Sequence, residues 1–211
     1  MSKIIFNGPK NSPFLIALAH GAGAPMDTHF MSFFAEGLAA QGTRVARFEF
    51  PYMLERRISG KKLPPDKIEL LLKTWQQVID ELGAKKLVIG GKSLGGRVAS
   101  LVADKFEVMG LVCLGYPFHP ARRPDKLRID HLQDLKTPSL FLQGDRDSFG
   151  NKDEVADYTI SDNIRLHWLR DGDHSFKPRR KSGRTEQQNW DEALDTLVDF
   201  IKTLYGNANG Q

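Results

Sequence analysis

The chain is 211 residues long, with 40% hydrophobic and 27% charged residues and a formal net charge of +4. That is the composition of a globular domain with ample material for a core, and no run approaches the ~18 apolar residues of a membrane span. Cys113 is the sole cysteine, which excludes an internal disulfide, and Met1-Ser2-Lys3-Ile4-Ile5-Phe6 breaks at Asn7-Gly8-Pro9 without forming a signal-peptide hydrophobic stretch, so a cytoplasmic protein is expected.

In chain order, segments readable as buried strands alternate with amphipathic ones. Residues 1–12 leave room for a short edge strand. Phe14 to Ala19 is a continuous apolar run that ends at His20-Gly21-Ala22-Gly23. Helical spacing follows through Phe30, Phe33, Phe34 and Leu38 and closes at Gln41-Gly42. Arg44 to Phe50 reads as a strand stopped by Pro51. Pro64-Pro65-Asp66 then opens a helix in which Ile68, Leu71, Leu72, Trp75, Val78, Ile79 and Leu82 keep the i, i+3, i+4, i+7 spacing, with Gly83 at its end. Next come the strand Lys86 to Gly90, the turn Gly91 to Gly96, a helical pattern from Arg97, and a strand from Val108 to Leu114. Ser139 to Gln143 is another apolar strand, and Ile164 to Leu169 alternates like a more exposed one. A final helix is expected near Gln187 to Tyr205, with 206–211 as a frayed tail. Near-continuous apolar strands joined by helices predict a mostly parallel sheet of about six strands with helices on both faces. No repeat or linker divides it, so residues 1–211 form one α/β domain. Only Gly115 to Pro138 separates two of the strands, which leaves no room for a large cap.

The stretch Gly91-Lys92-Ser93-Leu94-Gly95-Gly96 carries the most chemistry. It is G-x-S-x-G between a strand and a helix, the turn that lifts a serine hydroxyl clear of the backbone. A phosphate loop of the Walker type needs glycine at position 86, where Lys86 stands, and a dinucleotide fingerprint at Gly21-Ala22-Gly23 is interrupted by Pro25 and Met26. Ser93 is therefore read as a nucleophile, which requires a general base and an acid to orient it. Gly144-Asp145-Arg146-Asp147 and Gly172-Asp173-His174 follow the next strands in the order Ser, Asp, His. Asp147 is the first candidate for the acid and Asp145 the second, the alternative for either being a turn or a helix cap before Asn151–Val155. His174 is the base. His20, His29, His119, His131 and His167 have duller explanations as turn, helix, loop and strand residues. For the oxyanion, one backbone N–H is expected from Leu94 and the other from the His20–Gly23 loop, Ala22 first and Gly23 next.

With these residues in order, the chain resembles the α/β-hydrolase superfamily over nearly its whole length. His20-Gly21-Ala22-Gly23-Ala24-Pro25-Met26, Phe50-Pro51-Tyr52-Met53 and Pro178-Arg179-Arg180-Lys181-Ser182-Gly183-Arg184 narrow this to a compact dienelactone-hydrolase-like group of hydrolases, which includes testis-expressed proteins and a subunit of the non-specific-lethal chromatin complex. The resemblance implies the α/β-hydrolase fold without a large cap domain and the triad Ser93, Asp147, His174. It does not carry over the dienelactone substrate, because the nucleophile there is cysteine.

Charge is distributed unevenly. The windows 51–66, 117–130 and 174–185 hold thirteen basic and four acidic residues, and the rest of the chain has 17 basic against 22 acidic. Arg56, Arg57, Arg179 and Arg180 are expected to form a rim that draws anionic acyl or phosphorylated small molecules toward Ser93. Solvated loops are the plain alternative. The expected reaction is hydrolysis of a carboxylic ester or thioester through an acyl-enzyme, with no metal or organic cofactor. A peptidase or amidase on the same triad, or a basic-faced module for acidic protein or nucleic acid, are the competing readings.

Overall fold

The computed structural model describes residues 4–209. Strand β2 (Leu15–Ala19) buries every residue but its first. Successive side chains of a strand point to opposite faces, so Ile16 and Leu18 enter one core and Ala17 and Ala19 the other. Both faces are covered by helices, which is why this segment reads as an unbroken apolar run. The same holds for β4 (Leu87–Lys92), β5 (Gly110–Leu114) and β6 (Ser139–Gly144) at the centre of the sheet. At the far edge, β7 (Ile164–Leu169) exposes Arg165 and recovers a partial alternation.

The seven strands stand in the order β1-β3-β2-β4-β5-β6-β7, with β3 at Arg44–Phe48. Six are parallel, and β1 (Ile5–Asn7) is the short edge strand, antiparallel to β3 with Ile5 opposite Arg47. One face carries α1 (His29–Ala40) and α6 (Glu186–Asn209), whose Phe34, Leu38, Trp190, Leu197 and Ile201 pack on Ile16, Val88, Val112 and Leu140. The other carries α2 (Pro51–Ser59), α3 (Ile68–Leu82) and α4 (Leu94–Ser100), where Tyr52, Trp75, Ile79 and Val98 meet Phe48, Ile89, Leu111 and Phe141. Parallel pairing brings all six carboxyl ends to one side of the sheet, and the loops that leave them converge there.

Three segments differ from expectation. Pro51 does not merely stop a strand: it opens α2 from the first helical turn, where its missing N–H costs nothing and its fixed φ is already helical. Pro64-Pro65-Asp66 does not open α3: Lys67 is still extended, with φ −58° and ψ 150°, and the helix starts at Ile68. Asp66 instead reaches back to α2 and accepts from the Tyr52 N–H at 2.9 Å. Finally, α6 runs through Asn209, past the expected end at Tyr205, while Gly210 and Gln211 lie outside the described residues. Between β5 and β6 the chain makes only loops and a single 3-10 turn at Asp130–Leu132, and only the short α5 (Lys152–Ala156) lies between β6 and β7, so no large cap overlies the carboxyl ends. Among the described residues no helix is long and apolar enough to cross a membrane.

Candidate active site

Ser93 joins β4 to α4 with φ 51° and ψ −112°, a left-handed conformation in which a non-glycine residue stores ~1–3 kcal/mol of strain. The strain is held from both sides. The Ser93 N–H donates to the Leu114 carbonyl at 3.1 Å, and the Arg97 N–H donates to the Ser93 carbonyl at 2.9 Å. The neighbouring glycines are imposed by close approach. A Cβ at Gly91 would lie 2.1 Å from the Ala19 carbonyl oxygen, and one at Gly95 2.4 Å from the same atom. One at Gly96 would lie 2.7 Å from the Gly91 oxygen and 3.2 Å from Cys113 Sγ, so the lone cysteine is buried packing behind the turn.

His174 lies in the loop after β7, and its Nδ1 is 2.7 Å from Asp147 Oδ2. Asp147 is fully buried at the end of β6, where Oδ2 also accepts from Gln143 Nε2 at 2.9 Å and Oδ1 from the Phe149 N–H at 2.9 Å. Those partners can only donate, so the carboxylate acts as an acceptor throughout, Nδ1 carries the imidazole proton, and Nε2 keeps its lone pair. Burial pulls the His174 pKa below its ordinary value; the Lys92 ammonium adds to this and the Asp147 carboxylate opposes it. Of the two candidate acids only Asp147 is brought to His174. Asp145 turns away, with Oδ1 buried and unpartnered among the described residues.

The loop after β2 is held by its own histidine. His20 is fully buried; its Nδ1 is 2.7 Å from the Gly21 carbonyl and its Nε2 accepts from the Phe50 N–H at 3.1 Å. Both partners define the neutral Nδ1–H tautomer, and burial lowers the pKa of the ring accordingly. The Ala22 carbonyl accepts from the Tyr52 hydroxyl at 3.2 Å and from the Arg56 guanidinium at 3.1 Å. Leu94 opens α4, so its N–H is among those that no helical carbonyl can satisfy. Ser93, His174 and the Gly21–Pro25 loop line one cavity of about 370 Å³, whose other walls include Phe30, Met31 and Phe149. The Phe149 ring lies 4.3 Å from the imidazole of His174, centroid to centroid.

The arginines of the expected basic rim stand outside that cavity. Neither Arg56, Arg57, Arg179 nor Arg180 lines the cavity of Ser93. Arg57 pairs with the buried Glu49 at 2.6 Å and with Asp27 at 2.7 Å, and Arg179 pairs with Asp171. Arg56 spends its donors on the carbonyls of Leu63 and Ala22. The guanidiniums of Arg56, Arg57 and Arg179 are structural ties between loops, a role that the unforeseen α2 makes possible for Arg56 and Arg57, whereas Arg180 is exposed in the 3-10 turn Arg180–Ser182. A second groove of about 340 Å³, flanked by Arg56, Arg57, Lys61 and Lys62, adjoins the cavity through Gly23 and Pro25. The remaining histidines have local partners: His29 lies against Trp190, His119 bonds the Pro120 carbonyl, His131 bonds Ser100, and His167 bonds Glu192.

Sequence reasoning missed Gln143, Lys92 and Phe149. Gln143 carried a signal, since a polar residue at the end of an otherwise apolar strand must find buried partners. Lys92 stood in plain view inside the serine motif, but nothing in the spacing indicates where a long side chain goes.

Comparison with known proteins places the fold. Residues 12–202 match the family described as an alpha/beta hydrolase domain, and the chain belongs to it. Its fold is similar to that of a dienelactone hydrolase from Anabaena variabilis, with 20% identity over 96% of this chain and 91% of that one and a TM-score of 0.71. It is likewise similar to an α/β serine hydrolase without lid from Xanthomonas campestris, with 19% identity, 96% and 88% coverage and a TM-score of 0.69. Est1E from Butyrivibrio proteoclasticus matches at 15% identity over 94% of each chain, with a TM-score of 0.69. General hydrolase chemistry follows from the family.

Proposed function

We propose that the protein is a serine hydrolase of small carboxylic esters or thioesters, acting through Ser93, His174 and Asp147. The observation that carries this reading is the 2.7 Å contact between His174 Nδ1 and Asp147 Oδ2 at the cavity that Ser93 also lines. Ser93 Oγ bonds to the acyl carbon as its proton passes to His174 Nε2, and the carbonyl π pair moves onto oxygen. The Leu94 and Ala22 N–H groups hold that oxyanion. Collapse breaks the C–O or C–S bond, and the imidazolium returns its proton to the departing alkoxide or thiolate. Water then attacks the acyl-enzyme, giving one proton to His174; the C–Oγ bond breaks, Ser93 recovers that proton, and the acid is released. Amides are open to the same route.

The cavity lies at the lower end of the ~300–1,000 Å³ usual for ligand sites, and its Phe30, Met31 and Phe149 walls suit a small apolar acyl group. A preference for anionic substrates rests on Arg56, Arg57, Lys61 and Lys62, which line the adjoining groove, and not on Arg179 or Arg180, which line neither it nor the cavity. The likeness to the compact dienelactone-hydrolase-like group, including its testis-expressed and chromatin-complex members, belongs to this reading. Two of its three segments meet here, since His20 holds Phe50, and Tyr52 holds Ala22. A cytoplasmic location goes with the single buried thiol.

Reaction with a fluorophosphonate tests the assignment. Wild type is expected to gain one adduct on Ser93 and to hydrolyse p-nitrophenyl acetate, and Ser93→Ala to do neither, with kcat down by ~10⁴-fold or more. No Ser93-dependent adduct, together with salt-sensitive polyanion binding, favours the basic-faced interaction module instead. A panel of matched neutral and anionic esters, thioesters and anilides reads the substrate class.

A further inference from the structure

Lys92 precedes the nucleophile, yet the turn itself asks nothing of its side chain. Its stem runs beside Gly21, where a Cβ would lie 3.4 Å from Lys92 Cγ, and borders the cavity. The ammonium donates to the backbone carbonyl of His174. The Phe30 ring from α1 lies 5.1 Å from Nζ and the Phe176 ring 5.5 Å. Across from it, Gly115 follows β5 with φ 70°, and a Cβ there would come within 2.8 Å of both Lys92 Nζ and the His174 carbonyl oxygen. The fold therefore keeps a side chain out of Gly115 to admit this contact. Among the described residues no carboxylate forms a salt bridge with Lys92.

We infer that Lys92 is a positioning residue, which fastens the His174 loop to the serine turn and sets a cation beside the imidazole that takes the Ser93 proton. The inference rests on the proposed roles of Ser93 and His174. An ammonium held by one carbonyl and two ring faces is poorly compensated, and a methionine of similar length would fill the same space at less cost. The charge is retained in a place where it acts on the base. The ionisable groups facing His174 are Lys92 from β4, Asp147 from the loop after β6, and Asp173 from its own loop, with the uncharged Phe149 ring alongside. The two carboxylates favour the imidazolium, and Lys92 is the cation set against them. Burial lowers the Lys92 pKa to about 8, so the side chain remains mostly charged at neutral pH.

The test is Lys92→Met, with Lys92→Arg as the charge-conserving partner. Removing the cation raises the pKa of His174, so the acid limb of kcat/KM for p-nitrophenyl acetate is expected to move up by about half a pH unit or more, with kcat reduced. Lys92→Arg should keep the limb near its wild-type position. A Lys92→Met limb that coincides with wild type overturns the inference. NMR titration of the His174 imidazole, in Ser93→Ala and in Ser93→Ala/Lys92→Met, reads the same coupling without turnover. If Ser93 proves unreactive while the imidazole still shifts, the hydrolase reading fails and the Lys92–His174 coupling stands. If neither the limb nor the imidazole moves, Lys92 is packing alone.

Discussion

Replacing Asp147 by asparagine tests charge at constant shape. Both carboxylate oxygens accept: Oδ2 from His174 Nδ1 and Gln143 Nε2, Oδ1 from the Phe149 N–H. An amide offers one acceptor oxygen. If that oxygen stays on Phe149, the NH₂ group faces Gln143 and the imidazole, which can then only accept at Nδ1. Its proton moves to Nε2, the atom that must receive the proton of Ser93. If the amide turns over, its NH₂ faces the Phe149 N–H and leaves a buried donor unpaired, at ~1–3 kcal/mol. The expected result is a fall in kcat on the order of 10⁴-fold with little change in KM, the loss seen when a serine hydrolase is left with the wrong imidazole tautomer. Stability should fall by ~1–3 kcal/mol, which for a chain of this size lowers Tm by ~2–4 °C for each kcal/mol. Asp145→Asn is the control, because no hydrogen bond joins Asp145 to His174 among the described residues, and it should stay within roughly threefold of wild type. Steady-state hydrolysis of p-nitrophenyl acetate and thermal unfolding measure both. Retention of kcat within about tenfold in Asp147→Asn, or an equal loss in Asp145→Asn, means that the Asp147 charge does not set the imidazole tautomer.

Gly95→Ala places a methyl 2.4 Å from the Ala19 oxygen and 2.7 Å from the His20 oxygen, both backbone atoms that cannot swing aside. It should cost ~1–3 kcal/mol in urea unfolding, with an unchanged m-value, and displace Ser93 enough to abolish fluorophosphonate labelling. Lys92 makes stability depend on pH. Its folded pKa of about 8 lies below the ordinary 10.5, so the unfolded chain binds more protons in that window and wild-type stability rises with pH across it. Lys92→Met should lack this rise, which is on the order of 3 kcal/mol in denaturant titrations at pH 8 and pH 10.5; equal slopes for both proteins count against a buried ammonium. Tyr205→Phe removes the hydroxyl that accepts from the Leu15 N–H at 2.8 Å and donates to the Lys86 carbonyl, and chemical denaturation should show a loss of ~1–3 kcal/mol. Arg179→Gln should leave the ratio of kcat/KM for anionic over neutral esters unchanged, since Arg179 is committed to Asp171; a drop in that ratio restores it to the substrate side.

Much of the fold was legible because its causes are local. The apolar runs of β2, β4, β5 and β6 are continuous because both faces of those strands are covered, and the glycines around Ser93 mark where backbone presses on backbone. The segment 51–66 is ambiguous in sequence for a physical reason. Pro51 and Pro64-Pro65 are ambiguous signs, able to end one element or begin another. The burial of Tyr52 and Met53 and the cap that Asp66 places on Tyr52 decide for a helix, and both depend on what packs above the sheet.

The candidate site divides along the same line. A serine on a strained strand-to-helix turn, followed in order by an acid and a histidine after later strands, is readable from the residues alone, because spacing and turn chemistry are properties of short segments. The packing of the chain selects Asp147 rather than Asp145 to reach His174. It also decides that Arg57 and Arg179 tie loops together instead of facing the cavity, and that Lys92 crosses to the His174 loop. A long or charged side chain takes whichever acceptor the fold brings within reach, and those acceptors come from segments 8 to 82 residues away along the chain.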